Sequence, residues 1–474
     1  MRRTFVGVLL LALVVAGVAT WRYDLVDRYL RDGEPAANAD PVAIAPPAGL
    51  ELPAVQPPAA VAEAARSAPL SPAKLRRALA PYLADEDLGP HVLAAVAPLA
   101  PGPTTLTRGA GDAVPASTTK LVTATAALLA LGPEHVFTTR VVSEAGAASG
   151  NSRRLVLVGG GDPFLASAPP AADEEPPYPP RADVVDLARR TARALKAQGA
   201  RRVRLAYDAS LFTGPADNPA WERDYVPDGV VSPISALWVD GGRDPSGFGR
   251  VADPALRAAT AFADALRAAG IRVDGEPVPA AAKADAEPLA AVTSAPLGEI
   301  VEHLLQVSDN EATEVLLRHV GLSVVADASF VGGRRGVTRL LAAEGVDLAG
   351  TILYDGSGLS RRNRMTPATL IDVLRLATTR PDLGPVLTGL PVAGFTGSLA
   401  DRFAAGAPEG RGRVRAKTGT LTGVASLAGI VTDAGGRPML FVLMADRVAR
   451  LDGTDAEVAL DGAAAALAAC RCGR

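Results

Sequence analysis

A serine and a lysine three residues apart carry the first suggestion of chemistry. Pro115-Ala116-Ser117-Thr118-Thr119-Lys120 runs into LVTATAALLAL and stops at Gly132-Pro133, the pattern of a helix that begins near Ser117. Residues three apart share a helix face, so Ser117 and Lys120 can touch. A serine hydroxyl is a weak nucleophile until a base takes its proton. A lysine becomes such a base when burial and nearby positive charge lower its pKa, and a helix N-terminus supplies a positive field. Alone, S-x-x-K is common and also reads as a capping serine beside a solvated lysine. Lysine is scarce here, however: of 48 basic residues only Lys74, Lys120, Lys196, Lys283 and Lys417 are lysine. Arginine cannot release its proton in a protein and lysine can, so each retained lysine asks for a reason.

Two further motifs follow. Ser308-Asp309-Asn310 lies between helical patterns at 296–306 and 311–320; Ser308 can relay a proton, and Asn310 offers an amide donor and an acceptor. Lys417-Thr418-Gly419-Thr420 ends an alternating, strand-like run from Gly412. Gly419 lets a ligand approach the backbone, and the hydroxyls of Thr418 and Thr420 beside a cationic lysine suit a carboxylate. By itself S-D-N is a helix N-cap, and K-T-G is a strand end with its turn. In the order S-x-x-K, S-x-N, K-T-G, the three are similar to the signature of class A β-lactamases and penicillin-binding proteins.

Competing schemes find no footing in the chain. It has no G-x-S-x-G elbow and no H-E-x-x-H, and its histidines, His91, His135, His303 and His319, are scattered and read as structural or surface residues. Gly159-Gly160-Gly161-Asp162-Pro163 lacks the G-x-G-x-x-G layout and reads as a tight turn. The cysteines, Cys470 and Cys472, sit in the last five residues, which excludes a disulfide scaffold and a cysteine zinc site and predicts a loose tail. No metal and no cofactor is expected.

Beyond the three motifs, the chain resembles the class C low-molecular-mass penicillin-binding proteins, the D-alanyl-D-alanine carboxypeptidase/endopeptidases of peptidase family S13. The residues that carry the resemblance are Pro115–Lys120, Asp355-Gly356-Ser357-Gly358-Leu359-Ser360, the L-P-x-A-G-x-x-G-S-L stretch from Leu390 to Leu399, Ala416–Leu421 with Leu427-Ala428-Gly429 after it, the Gly161–Pro163 turn and Ser232–Leu237. It covers roughly residues 72–474. It implies that Ser117 attacks the carbonyl between two terminal D-alanines, that Lys120 is the base, and that Ser308 and Lys417 relay the proton to the leaving amine. It implies that Asn310 holds the substrate backbone, that the N–H groups of Ser117 and Thr420 form the oxyanion hole, and that Thr418 and Thr420, around Gly419, take the terminal carboxylate. The strand Val414–Thr418 would pair with the peptide as an added strand. The partners implied are peptidoglycan peptides and, as covalent inhibitors, β-lactams. Asp355, Ser357 and Ser360 read either as a wall of the cleft or as a turn that fixes the fold. The rival functions are a β-lactamase, although no E-x-x-L-N motif positions a hydrolytic water, and a non-catalytic peptidoglycan-binding wall protein, although both motif lysines are present.

The elements that must position these residues suggest an α/β (α+β) body: a penicillin-binding transpeptidase/β-lactamase-like domain, its antiparallel sheet flanked by helices, with one inserted mainly-β domain. Helices are predicted at 71–83, 187–198, 256–269 and 456–469, and strands at 202–207, 424–431 and 439–444, the last two joined by a hairpin turn at Asp433–Pro438. The peptidase domain is expected at 72–138 and 286–474 and the insertion at 139–285. The nucleophile-to-S-x-N spacing, 308 minus 117 or 191 residues, is short for three-domain members of the family, and Gly241–Asp253 is the brief stretch where an innermost domain is missing. Arg2-Arg3 and the apolar run from Phe5 to Ala19 read as an export signal or membrane anchor within 1–21, and 22–71 as a Pro/Ala-rich spacer. The location expected is therefore extracytoplasmic, on the cell-wall side, anchored or secreted, with membrane contact only through that segment. Hydrophobic residues are 48% of the 474, enough for a large core, and the net charge of -3 with no basic stretch argues against nucleic acid.

Overall fold

The computed structural model describes residues 69–144, 152–404 and 406–473, all within one compact unit, 64–474. The expected signal or anchor (1–21) and most of the spacer lie outside the described residues. Among the described residues no single helix is long and apolar enough to cross a membrane.

The first sheet has five strands in the order β2-β1-β11-β10-β9: β1 (Val92–Pro98), β2 (Leu106–Arg108), β9 (Val414–Leu421), β10 (Val424–Thr432) and β11 (Pro438–Ala445). All its pairings are antiparallel. Successive side chains point to opposite faces, and here both faces are buried, which is why these strands read as nearly unbroken apolar runs. Leu93, Ala95, Leu440, Val442 and Met444 enter one core, and Ala94, Val96, Phe441 and Leu443 enter the other. The second core is closed by helices α1 (Pro72–Leu83, capped by Ser71) and α10 (Gly453–Ala469).

The first core holds a layer of helices. Helix α2 (Thr119–Leu131) is buried along its whole length from Thr119 to Leu128. It packs against α5 (Leu297–Val307), α6 (Asn310–Val325), α7 (Phe330–Ala343) and α8 (Pro367–Thr379), with the short α9 (Gly384–Thr388) beside them. The predicted start at Ser117 is modified: Ala116–Thr118 form one 3-10 turn, and the α-helix begins at Thr119.

A second sheet, order β6-β5-β4-β3-β8, occupies residues 138–293: β3 (Thr138–Glu144), β4 (Arg153–Val158), β5 (Arg202–Asp208), β6 (Arg272–Val273) and β8 (Glu287–Thr293), with β7 (Val278–Pro279) also on β5. The two helices predicted within the insertion are present as α3 (Val184–Ala197) and α4 (Pro254–Ala268), and they cover one face of this sheet. The reason is that β4–β5 and β5–β6 pair in parallel, and parallel neighbours need long crossovers, usually helical.

The C-terminal tail corrects the expectation of a loose end. Cys470 and Cys472 are disulfide-bonded, with Cα atoms 5.2 Å apart, and Cys472 is fully buried. Asp433, in the turn between β10 and β11, accepts from Cys472 N at 3.0 Å, and Cys472 O accepts from Ser71 N at 2.8 Å. Lys74 Nζ donates to Gly473 O at 2.7 Å, so the tail clips α1 to the sheet and one of the five lysines finds its reason there.

Candidate active site

Ser117 sits on the 3-10 turn that leads into α2. Thr118 Oγ1 and Thr119 Oγ1 turn back onto the carbonyls of Pro115 (2.7 Å) and Ala116 (2.8 Å), which fastens the turn. Ala116 has φ 47°, a left-handed conformation that costs a non-glycine residue energy and persists only where its surroundings hold it. Gly358 provides that hold: a Cβ there would lie 1.8 Å from Ala116 O, so only glycine lets the 355–360 turn press against the turn that carries Ser117.

Lys120 is fully buried one turn further on. Its Nζ is 2.9 Å from Ser117 Oγ, 2.7 Å from Asn310 Oδ1 and 2.7 Å from Ser357 O. The last two are acceptors only, so a neutral amine directs both N–H groups to them and its lone pair to the Ser117 hydroxyl. Burial lowers the pKa of Lys120 from 10.5 to about 8, against the opposing pull of Asp355 and Glu314.

Ser308-Asp309-Asn310 joins α5 to α6. Ser308 adopts a left-handed conformation (φ 61°, ψ 43°), and Asp309 caps α6 by accepting from Ala312 N at 2.8 Å. The N-cap reading of this motif holds for Asp309, which starts the helix, while its flanking residues Ser308 and Asn310 contact Lys417 and Lys120. Lys417 Nζ donates to Ser308 Oγ and to Thr418 O, each at 2.9 Å. Lys417 is fully buried as well, and its pKa falls well below 10.5 through burial and then the charges of Lys120 and Arg402.

Strand β9 runs through K-T-G instead of ending there. Its outer edge pairs with 391–393 as far as Ala416, through Ala393 N to Val414 O and Ala416 N to Pro391 O, each 3.0 Å. Alternation then points the backbone N–H groups of Thr418 and Thr420 to the same outer side. Gly419 is needed for a different reason from the one the motif suggested. A Cβ there would meet Ser426 Oγ at 2.2 Å, Pro115 O at 2.7 Å and Ser117 N at 3.1 Å, so the close neighbours are Ser426 and the turn that carries Ser117. Ser426 ties the two together by donating to Pro115 O at 2.7 Å. Thr418 Oγ1 is 2.8 Å from Ser398 Oγ, and Thr420 Oγ1 donates to Glu457.

All eight residues singled out from the motifs therefore fall in one cluster. Several of their supports were invisible in the motifs. Asp355 is fully buried and accepts from Gly358 N, Ser360 N, Asn363 Nδ2 and Trp221 Nε1 at 2.6–3.0 Å, so its carboxylate organises the turn that aims Ser357 O at Lys120. Glu314, one turn along α6 from Asn310, accepts from Gly356 N (3.0 Å) and Ser357 N (2.7 Å); burial and Asp355 push its pKa up to about 8. Ser398 arrives on a 3-10 turn (Gly397–Leu399) inside a stretch the resemblance had quoted without a role. Trp221 and Val230, whose carbonyl accepts from Asn310 Nδ2 at 3.3 Å, come from the 209–242 segment, where no spacing rule points to the site. Among the described residues no group of three or more His, Cys, Asp or Glu is gathered that could hold a metal ion. His319 is a core residue: its Nε2 donates to Gly161 O at 3.0 Å, and burial lowers its pKa to about 4.

A serine hydroxyl held on a buried lysine of lowered proton affinity, beside a second lysine–serine pair, on this sheet-and-helix frame, defines a serine acyl-transfer enzyme of penicillin-binding type. The model of the D-Ala-D-Ala carboxypeptidase 3 (S13) family matches residues 75–248 and 244–467. The chain is 36% identical over 478 residues to carboxypeptidase DacB of Mycolicibacterium smegmatis, covering 99% of this chain and 97% of that one. It is 40% identical over 190 residues to a D-alanyl-D-alanine carboxypeptidase of Actinomadura sp. strain R39, covering 38% and 35% of the two. The fold is similar to the crystal structure of penicillin binding protein 4 (dacB) from Haemophilus influenzae, with a TM-score of 0.66 at 23% identity over 83% of this chain and 98% of that one. The chain belongs to the D-Ala-D-Ala carboxypeptidase 3 (S13) family, and its activity is that of a serine-type D-Ala-D-Ala carboxypeptidase.

Proposed function

We propose that Ser117 is the nucleophile that opens the amide between two terminal D-alanines of a peptidoglycan stem peptide, and that Lys120 is the base that activates it. The observation that carries this reading is the 2.9 Å contact between Lys120 Nζ and Ser117 Oγ, with both remaining N–H directions taken by Asn310 Oδ1 and Ser357 O. The serine oxygen attacks the carbonyl carbon, its proton passes to Lys120, and the oxyanion rests on the N–H groups of Ser117 and Thr420. Such fixed donors typically lower a barrier by about 3–4 kcal/mol. The proton on Lys120 passes through Ser308, held by Lys417, to the leaving amine, so free D-alanine departs from a Ser117 ester and Lys120 is neutral again. Water then attacks the ester carbonyl, Lys120 takes its proton and returns it to Ser117 Oγ as the ester bond breaks, and the acid product leaves.

Asn310 positions the substrate backbone, Thr418 and Thr420 lie at the terminal carboxylate, and the outer edge of β9 beyond Ala416 receives the peptide as an extra strand. A β-lactam presents a strained amide at the same place and acylates Ser117. Residues 139–285 are read as one insertion in a peptidase domain of 72–138 and 286–474; the two stretches of the family match meet at 244–248, inside the brief Gly241–Asp253 segment. The N-terminal apolar run supports action outside the cytoplasm, on an anchor or after secretion.

Incubation with a fluorescent penicillin, followed by intact mass over hours, tests the reading. A long-lived one-to-one adduct that is absent from Ser117→Ala is the expected result. Rapid loss of label with drug turnover makes the protein a β-lactamase, and no adduct from folded protein removes the nucleophile assignment.

A further inference from the structure

Two arginines outside the motifs converge on one ring. Arg334, on α7, and Arg362, just past the 355–360 turn, stack on Tyr354 with their guanidinium carbons 5.4 and 4.0 Å from the ring centroid. The two charges are therefore within about 10 Å of each other, roughly one Debye length, and they repel. Arg361 and Arg364, on the same loop, are paired with Glu222 and Asp112. Arg334 and Arg362 make no such ion pair among the described residues. Apart from the ring, Arg334 Nη1 donates to Leu353 O at 2.9 Å, and Arg334 Nε is buried without a partner.

Both side chains line a cavity of about 300 Å³, which adjoins a second of about 530 Å³ lined by Arg335 and Arg339; Val331 and Arg334 belong to both. No Asp or Glu lines either cavity, although the chain as a whole carries a net charge of -3. Asp327, ahead of α7, feels the charge of Arg335, but it accepts from Ser329 N at 3.0 Å and lines neither cavity. None of the eight motif residues lines them either. Four guanidinium groups along one groove suit phosphate, whose oxygens accept two parallel N–H bonds from each fork. Because the cavities share Arg334, they suit phosphates linked in a row better than a single ion.

We propose that this groove binds a linear, phosphate-bearing polyanion, with one phosphate on Arg334 and Arg362 and the next on Arg335 and Arg339. Binding relieves the repulsion at Tyr354, so the occupied protein is the more stable one. The proposal is independent of the acyl transfer at Ser117.

The full-length protein is titrated calorimetrically with tripolyphosphate and with inorganic phosphate at a fixed ionic strength of about 0.15 M. Tripolyphosphate is expected to bind at least about tenfold more tightly than inorganic phosphate, because linked phosphates engage both cavities. Arg362→Gln and Arg339→Gln should each weaken tripolyphosphate binding about threefold to tenfold, the loss of one charged contact at a solvent-accessible site. Thermal melts by circular dichroism establish that each variant is folded; Arg339 is exposed, so its variant keeps the test open if Arg362→Gln unfolds. No binding of either ion at about 10 mM, equal affinities for the two, or variant affinities within about twofold of wild type overturns the inference. Cosedimentation with phosphatidylglycerol vesicles that both variants abolish, in protein that does not bind tripolyphosphate, would assign the groove to a lipid surface and overturn the polyanion.

Discussion

Lys120 and Lys417 are both fully buried, and burial loosens the proton of each. Their neighbours act in opposite directions. Lys120, on the helical side of the cleft, has Asp355 and Glu314 nearby, and these anions hold its pKa at about 8. Lys417, on the sheet side, feels Lys120 and Arg402, cations that drive its pKa lower still. The same residue type is thus prepared for two tasks. The anions beside one lysine favour its charged form, and the cations beside the other disfavour it.

The sharpest way to break this comparison is to remove each amine in turn. Lys120→Met should reduce Ser117 acylation by at least about a thousandfold, the loss of a positioned general base, and Lys417→Met by about a hundredfold, read from penicillin labelling rates. Equal losses would end the distinction. The support behind Lys120 comes next. Asp355→Ala strands four donors in the core and should cost about 3 kcal/mol or more in urea unfolding, with a visible fall in Tm.

The pH profile sharpens the contrast more finely. With Lys120 as the proposed base the neutral amine is the active form, so kcat/KM should rise with pH through a value near 8. Glu314→Gln removes an anion that favours the charged amine, so the pKa of Lys120 falls and the rising limb moves to lower pH. Glu314 itself is only about half ionised near pH 8, which keeps the movement below about one pH unit. A limb that moves upward, or stays in place, would show that Glu314 does not act on Lys120 through charge. The smallest effect belongs to the far end of the sheet. Cys470→Ser with Cys472→Ser opens a very short loop and should lower stability by about 1–2 kcal/mol, with labelling of Ser117 unchanged.

The order of S-x-x-K, S-x-N and K-T-G along the chain, with lysine kept where arginine was otherwise used, was enough to name the eight residues that cluster in the structure. Local pattern was also enough for α1, α10 and the β10–β11 hairpin: an amphipathic repeat marks α1, an alanine-rich run α10, and two apolar runs around a Gly-Gly turn the hairpin. What the sequence by itself could not determine is set by contacts between residues far apart in the chain. Ser357 offers a backbone carbonyl, which any residue type can do; Glu314 and Asp355 look like ordinary acids until the fold buries them against Lys120; and Glu457 meets Thr420 only because α10 returns to pack beside the first sheet. Gly358 carries the same lesson, since its need for a bare Cα comes from Ala116, more than two hundred residues away in the chain, and Pro115 and Ser117 crowd Gly419 from as far, together with the nearby Ser426. Residue types and spacing decide what chemistry is available, whereas burial and long-range packing decide each group's proton affinity and partner, and those depend on tertiary structure alone.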